Sequence, residues 1–232
     1  MKREFDNFDE FAKDYRATHD KSVEISGADS DYFSEYKILE VLKYEQANDS
    51  IRILDFGCGD GNSSKYFRKY FNNSQIVGID VSEQSIKEAN QKKIENAIFQ
   101  SFNGSTIPFD DNQFDLIFTS MVFHHIEHKL HENILNEIRR VLKPGGRFYN
   151  FEHNPNNPLT RKVVNECPFD EDAVLLKPSY HKMITIKSGL NLKNLNFTLF
   201  LPRHKFFKPL LGLEKILTWC PIGAQYYIRS IK

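Results

Sequence analysis

Apolar residues recur along the chain in short solid runs, separated by stretches in which they fall at helical spacing. The runs IRILDF (51–56), QIVGID (75–80), AIFQSF (97–102), FDLIFTS (114–120) and GRFYNFEH (146–153) predict five buried strands. Residues 31–46 place Tyr32, Phe33, Tyr36, Leu39, Val41 and Leu42 on a helix, with Ser30 or Asp31 as its cap. Helices are also predicted over about 62–72, over SEQSIKEANQKK behind the cap Ser82, and over HENILNEIRRVL (131–142). The last of these stops at Lys143-Pro144-Gly145-Gly146, where proline and two glycines break the pattern.

Strand and helix alternating at this spacing predict parallel strands joined by right-handed crossovers, with helices on both faces. Sheets of this kind bind ligands beyond the carboxyl ends of their strands. From residue 153 the rhythm loosens into an Asn- and Pro-rich excursion, followed by a final helix and two strands near 194–201 and 223–231.

At 232 residues, 40% hydrophobic and 27% charged, the chain is sized for one large globular domain. The opening MKREFDNFDE lacks the apolar core of a secretory signal, and no run approaches a membrane span of about 18 residues. Cys58, Cys167 and Cys220 are odd in number and scattered, which implies no disulfide framework. The expected location is cytoplasmic. Net charge is zero, yet ten Lys/Arg stand against the single acid Glu214 from Ala173 onward. That imbalance reads either as a solvated basic rim or as a surface for an anionic substrate, a phosphate or a membrane face.

The stretch ILDFGCGDGNSS puts Gly57, Gly59 and Gly61 between a strand and a helix. Glycine there permits a tight turn and lets a ligand approach bare backbone, while the helix start offers unpaired N–H groups. Asp80, closing the next strand, stands where a carboxylate accepts hydrogen bonds from ribose hydroxyls. A dinucleotide fingerprint wants its third glycine at residue 62, which is Asn62, so a nicotinamide-dependent oxidoreductase is the lesser alternative.

ILDFGCGDG, VGID, STIPFDDNQFDLIFTS and RRVLKPGGRF, in this order and spacing, resemble the successive motifs of class I S-adenosylmethionine (SAM)-dependent methyltransferases. The resemblance covers about residues 50–151. It implies an α/β fold with a seven-stranded, mostly parallel, Rossmann-like sheet whose last strand is antiparallel. It also implies SAM as the cofactor, with Asp55, Gly57, Cys58, Gly59 and Gly61 around the methionine part, Asp80 at the ribose and Val81 at the adenine. Asn103 and Gly104 fall where the family faces the adenine amino group, usually with aspartate, and Ser120 would offer backbone near the methionine amino group. Residues 1–46 would then form a lid and first helix, 47–152 the SAM-binding core, and 153–232 an acceptor-shaping segment with the C-terminal strands of the same domain.

FDEFAKDYR resembles the lid opening of small-molecule methyltransferases; Tyr15 matches, whereas Arg16 replaces the usual aspartate. The place where DNA amino-methyltransferases carry an N-P-P-Y-like motif reads TSMVFHH, so no nucleic acid is expected as acceptor. His124, His125, His128 and His131 have spacings compatible with zinc, but His124 and His125 fall in the family's active-site loop, and no metal is expected. One of these two would border the acceptor, as packing or as a general base with a pKa near neutrality. Glu152 and His153, at the end of the fifth strand, are the next catalytic candidates, and Asp170-Glu171-Asp172 marks the excursion beyond. The segment 202–232 carries Phe206, Phe207, Leu210, Leu211, Leu213, Leu217 and Trp219 among basic residues. It reads first as core packing or a homodimer contact, with peripheral membrane contact as the alternative. The arrangement faintly resembles bacterial methyltransferases of surface-glycan and lipid-linked sugar pathways. The expected activity is therefore methyl transfer to an O or N of a small, anionic or lipid-linked acceptor, the alternative being a non-catalytic SAM-binding regulatory or partner subunit.

Overall fold

A computed structural model of the protein describes residues 27–47, 49–167, 170 and 172–232. Its helices, among the described residues, are α1 (Ser30–Val41), α2 (Asn62–Tyr70), α3 (Glu83–Gln91), α4 (His131–Val141), α5 (Pro158–Glu166) and α6 (Pro178–Lys187). The strands are β1 (Arg52–Phe56), β2 (Gln75–Asp80), β3 (Ala97–Ser101), β4 (Phe114–Ser120), β5 (Leu142–His153), β6 (Asn191–Thr198) and β7 (Gln225–Ile231). They form one seven-stranded sheet in the order β3-β2-β1-β4-β5-β7-β6. β1 to β5 are parallel neighbours, and β7 runs antiparallel to both β5 and β6. The expected Rossmann-like sheet, mostly parallel with an antiparallel last strand, is the one observed.

Alternation along the central strands builds a core on each face. Ile53 of β1 with Leu116 and Phe118 of β4 pack against Ile38 and Val41 of α1 and Phe67 of α2. Leu54 and Phe56, with Ile117, face Ile134, Leu135 and Ile138 of α4 and Ile184 of α6. Both faces being covered is why these strands read as solid apolar runs.

Several boundaries move from the expectation. α1 is capped by Asp29, whose side chain accepts the Tyr32 N–H at 2.8 Å, one position before the predicted caps. Ser82 caps α3 as predicted, accepting the Ser85 N–H. The Lys143-Pro144-Gly145-Gly146 stretch ends α4 but lies inside β5, which starts at Leu142 and pairs Leu142 with Phe114 before a register shift. Glycine and proline here mark an irregular strand entry rather than a loop.

In the basic C-terminal segment, burial is divided. Lys205–Lys215 forms a 3-10 helix in which only Glu214 is buried, while Phe206 is 83% and Trp219 74% exposed. Glu214 accepts the Phe200 and Leu201 N–H groups and a bond from Arg203, and the Arg203 guanidinium lies over the rings of Tyr32 and Tyr36. Through Arg203 the segment is tied back to α1; Phe206, Leu210, Leu213 and Trp219 face outward, Phe207, Leu211 and Leu217 are half-buried, and residues 225–231 beyond them pack in the sheet as β7. Among the described residues, no helix is long and apolar enough to cross a membrane.

Candidate functional site

The carboxyl ends of β1, β2, β4 and β5 bring the predicted residues to one edge. Gly57 lies just beyond β1 with φ +71°, and a Cβ placed on it would sit 2.4 Å from Val122 Cγ2. The loop after β4 therefore packs directly on the glycine turn, and no larger residue fits between them. Gly59, at φ +52°, differs: among the described residues, a Cβ there would meet nothing within 4 Å. Its N–H donates to Asp80 Oδ2 at 2.8 Å, and Asp80 Oδ1 accepts the Ser82 N–H at 2.9 Å. A carboxylate oxygen can accept more than one hydrogen bond, so an acid at this strand end is chemically suited to a ligand hydroxyl. Open space over Gly59 with an acid beside it fits the ribose and methionine parts of SAM.

Other predicted cofactor residues have more structural roles. The Gly57 and Cys58 N–H groups both donate to Ile79 O, and the buried Cys58 side chain packs with Ile86, Ala89 and Phe99. Gly61 is buried at the N-terminus of α2, next to Ala89 and Phe99. Val81 is half-buried and Ser120 lies at the end of β4, both on the same edge. Asn103, exposed beside Gly104, spends its side-chain oxygen on the Ser105 and Thr106 N–H groups and the Ser105 hydroxyl. That oxygen thus closes a turn of its own. Asp55 is buried under the loop and accepts from Ser64 Oγ at 2.7 Å. Burial, with Asp80 and Asp60 adding to it, pushes its carboxyl up to about 7.

The second half of the site follows β4 and β5. Val122 leads into a 3-10 turn, Phe123–His125, and Glu152 near the end of β5 reaches across to it. Glu152 is fully buried; Oε1 accepts the Phe123 N–H at 2.9 Å and Oε2 lies 2.6 Å from His124 Nδ1. Asp170 approaches from the other side, its Oδ1 3.5 Å from His124 Nε2 and 3.4 Å from His125 Nε2. The His153 ring centroid lies 5.4 Å from that of His124. Burial alone would discharge His124, but Glu152 and Asp170 outweigh it and raise its pKa to about 9. Burial and the His124 cation lower His125 to about 4 and His153 to about 3. The three histidines thus have pKa values driven apart, with the charge on the one held between two carboxylates.

His128 and His131 turn away. His131 bonds through Nε2 to Phe123 O and Ile126 O, and His128 stacks on Tyr180. The four histidines of the HHIEHKLH stretch thus do not share a site. Tyr15 lies outside the described residues. Two members of the cluster were missed. Lys37 of α1 is buried, and burial lowers its pKa to about 8 against the pull of Glu152. Asp170 comes from the irregular segment between α5 and α6, and only its place in an acidic triplet hinted at it.

Glu152→Gln is expected to cost about 2 kcal/mol of stability, because the amide keeps the Phe123 N–H bond but loses the charge facing His124. The loss stays below that of a broken buried pair, since His124 still has Asp170 or can discharge. Urea unfolding of the two proteins reads the difference; equal midpoints would mean that Glu152 is not the partner holding His124.

A glycine turn after the first of five parallel strands, an acid closing the second, and an antiparallel seventh strand agree with the arrangement expected of a class I SAM-dependent methyltransferase. Residues 54–150 match the family described as methyltransferase domain, and the chain carries such a domain, with SAM as its expected cofactor. It is 29% identical over 130 residues to the uncharacterized methyltransferase YcgJ of Bacillus subtilis, covering 54% of this chain and 50% of that one. It is also 29% identical over 125 residues to the ubiquinone/menaquinone biosynthesis C-methyltransferase UbiE of Ectopseudomonas mendocina, covering 51% of this chain and 48% of that one. The chain thus spans about half the length of these curated relatives. Among solved structures, it superposes on the complex between the Haloferax volcanii Trm112 methyltransferase activator and the putative methyltransferase with a TM-score of 0.70 and 18% identity, covering 97% of this chain and 96% of that one.

Proposed function

We propose that this protein transfers the methyl group of SAM to an oxygen or nitrogen of a small, anionic or lipid-linked acceptor. The observation that carries the reading is the contact of Gly57 with Val122, which sets the cofactor loop against the turn bearing His124 and His125. A ligand over Gly59 and a molecule beside His125 would then be neighbours on one edge. SAM bound there supplies an electrophilic methyl group on a sulfonium. The protein's own part is to hold the two molecules in line, with Asp80 fixing one and the half-buried His125 bordering the other. Support for a lipid-linked acceptor comes from the exposed apolar side chains of the basic C-terminal segment, Phe206, Ile216 and Trp219, beside Lys205, Lys208 and Lys215. A relative named for quinone biosynthesis agrees with an apolar acceptor.

The test is transfer of label from methyl-tritiated SAM into an extract of the source cell, separated into lipid, aqueous and macromolecular fractions. Label is expected in the lipid fraction. Gly59→Arg is the control, because an arginine there projects into open space and occupies the cofactor's place. Label in the aqueous fraction would move the acceptor to a free small molecule. No label above the control would favour a SAM-binding subunit that does not turn the cofactor over.

A further inference from the structure

We propose that His124, His125 and Asp170 form a binding site for a divalent first-row transition metal ion, with Glu152 bracing His124 from behind. One ring nitrogen from each of His124 and His125 and a carboxylate oxygen of Asp170 all lie within 4.8 Å of one another. The two histidine–aspartate separations, 3.5 and 3.4 Å, are longer than an N–H···O hydrogen bond should be. They match instead the edge of a tetrahedron around an ion held at about 2.0–2.1 Å, which is roughly 3.3 Å.

The environment of His124 points the same way. The ring is 2% exposed, and among the described residues its buried Nε2 meets no partner at hydrogen-bond distance, Asp170 Oδ1 standing 3.5 Å away. Left so, a buried polar atom is costly; directed at an ion, it is satisfied. Its Nδ1 meets Glu152 at 2.6 Å, the carboxylate–histidine arrangement that fixes ring orientation and raises ligand basicity in metal sites. Glu152 is itself fixed by the Phe123 N–H. Asp170 is held in place by backbone on both sides, its N–H donating to Cys167 O and its carbonyl accepting from Ala173, while the Val174 N–H donates to His124 O. Two histidines and one carboxylate suit zinc, iron(II) or cobalt(II) better than magnesium or calcium. The His125 and Asp170 side chains stay 19% and 13% exposed, so the outer side remains for a fourth, oxygen ligand. The site stands independently of SAM binding, and it departs from the expectation of no metal, which followed from the place of His124 and His125 in the family's active-site loop.

The full chain, stripped with a chelator, is titrated with zinc against a chromophoric competitor. One bound ion per chain is expected, with His125→Gln and Asp170→Asn each weakening it at least ~10-fold and Glu152→Gln by about 10–100-fold. His128→Gln should leave zinc affinity unchanged. SAM calorimetry on the same variants separates the two readings, because loss of zinc with SAM affinity retained belongs to the metal site alone. Wild-type protein that takes up no zinc, or zinc binding that survives both His125→Gln and Asp170→Asn, overturns the proposal. Cobalt(II) gives a check free of variant stability: wild type should develop the intense visible bands of a four-coordinate site, and their absence would equally overturn it.

Discussion

Asp80→Ala is expected to lower SAM affinity at least ~100-fold, about 2.7 kcal/mol, while the sheet still folds. Its two oxygens accept the Gly59 and Ser82 N–H groups, so the carboxylate shapes the glycine turn, and in the proposed site it would also accept from the ribose. Each bond to a charged acceptor is worth about 1.5–3 kcal/mol, and alanine removes the turn's bonds and the ligand's together. Folding survives because Asp80 is half-buried at the strand end, and the Ile76–Ile79 pairing of β2 with β1 and β3 does not need its side chain. Asp80→Asn, with one acceptor oxygen, should fall between. Calorimetry with SAM, alongside circular dichroism of the free protein, makes the comparison. Unchanged affinity in a folded Asp80→Ala protein would remove SAM from this edge.

Asp55 yields the second large effect, in stability against pH. Its folded pKa stands near 7, mainly because burial penalises the charge, against about 3.9 in an unfolded chain. Between those values the folded protein holds a proton that the unfolded chain has released. The contribution is therefore complete below about pH 4 and is lost as pH rises through about 7. Three units of difference correspond to on the order of 4 kcal/mol. Asp55→Asn keeps an acceptor for Ser64 and cannot ionise, so its unfolding midpoint should fall less than that of wild type between pH ~5 and ~8. Parallel pH profiles for the two proteins would show that Asp55 does not titrate in this window.

The strands were legible because both faces of the sheet are buried: IRILDF and FDLIFTS have no solvent side and so no polar alternation. The glycine turn and Asp80 were legible because backbone geometry at a strand end admits few residue types. Glu152 and His153 could be placed by strand direction alone, since parallel strands deliver their last residues to one edge. Lys37 could not. It lies in a helix that also carries the half-buried Asp31 and Glu35 and the buried Glu40, and nothing local marks its lysine for burial. Asp170 was beyond reach for a different reason: its approach to His124 depends on how the chain between α5 and α6 is laid across the turn after β4. The outward-facing side chains of the C-terminal segment were not legible, because apolar content predicts burial only where a second layer exists to receive it.

The strand order carries a consequence for how the chain matures. β3, β2, β1 and β4, which carry the cofactor edge, use residues 52–120 and are neighbours in space, so this half can assemble while later strands are still being synthesised. β7 follows every other strand in the sequence, yet it sits inside the sheet, joining Arg147 of β5 to Ile231 and Thr198 of β6 to Gln225. Until it inserts, β5 ends in a bare edge and β6 has no neighbour at all. A nascent chain would thus own a nearly finished nucleotide cradle beside two unpaired strand edges, the exposure from which aggregation starts. Cofactor present during synthesis could stabilise the first half early, but only the arrival of β7 seals the second.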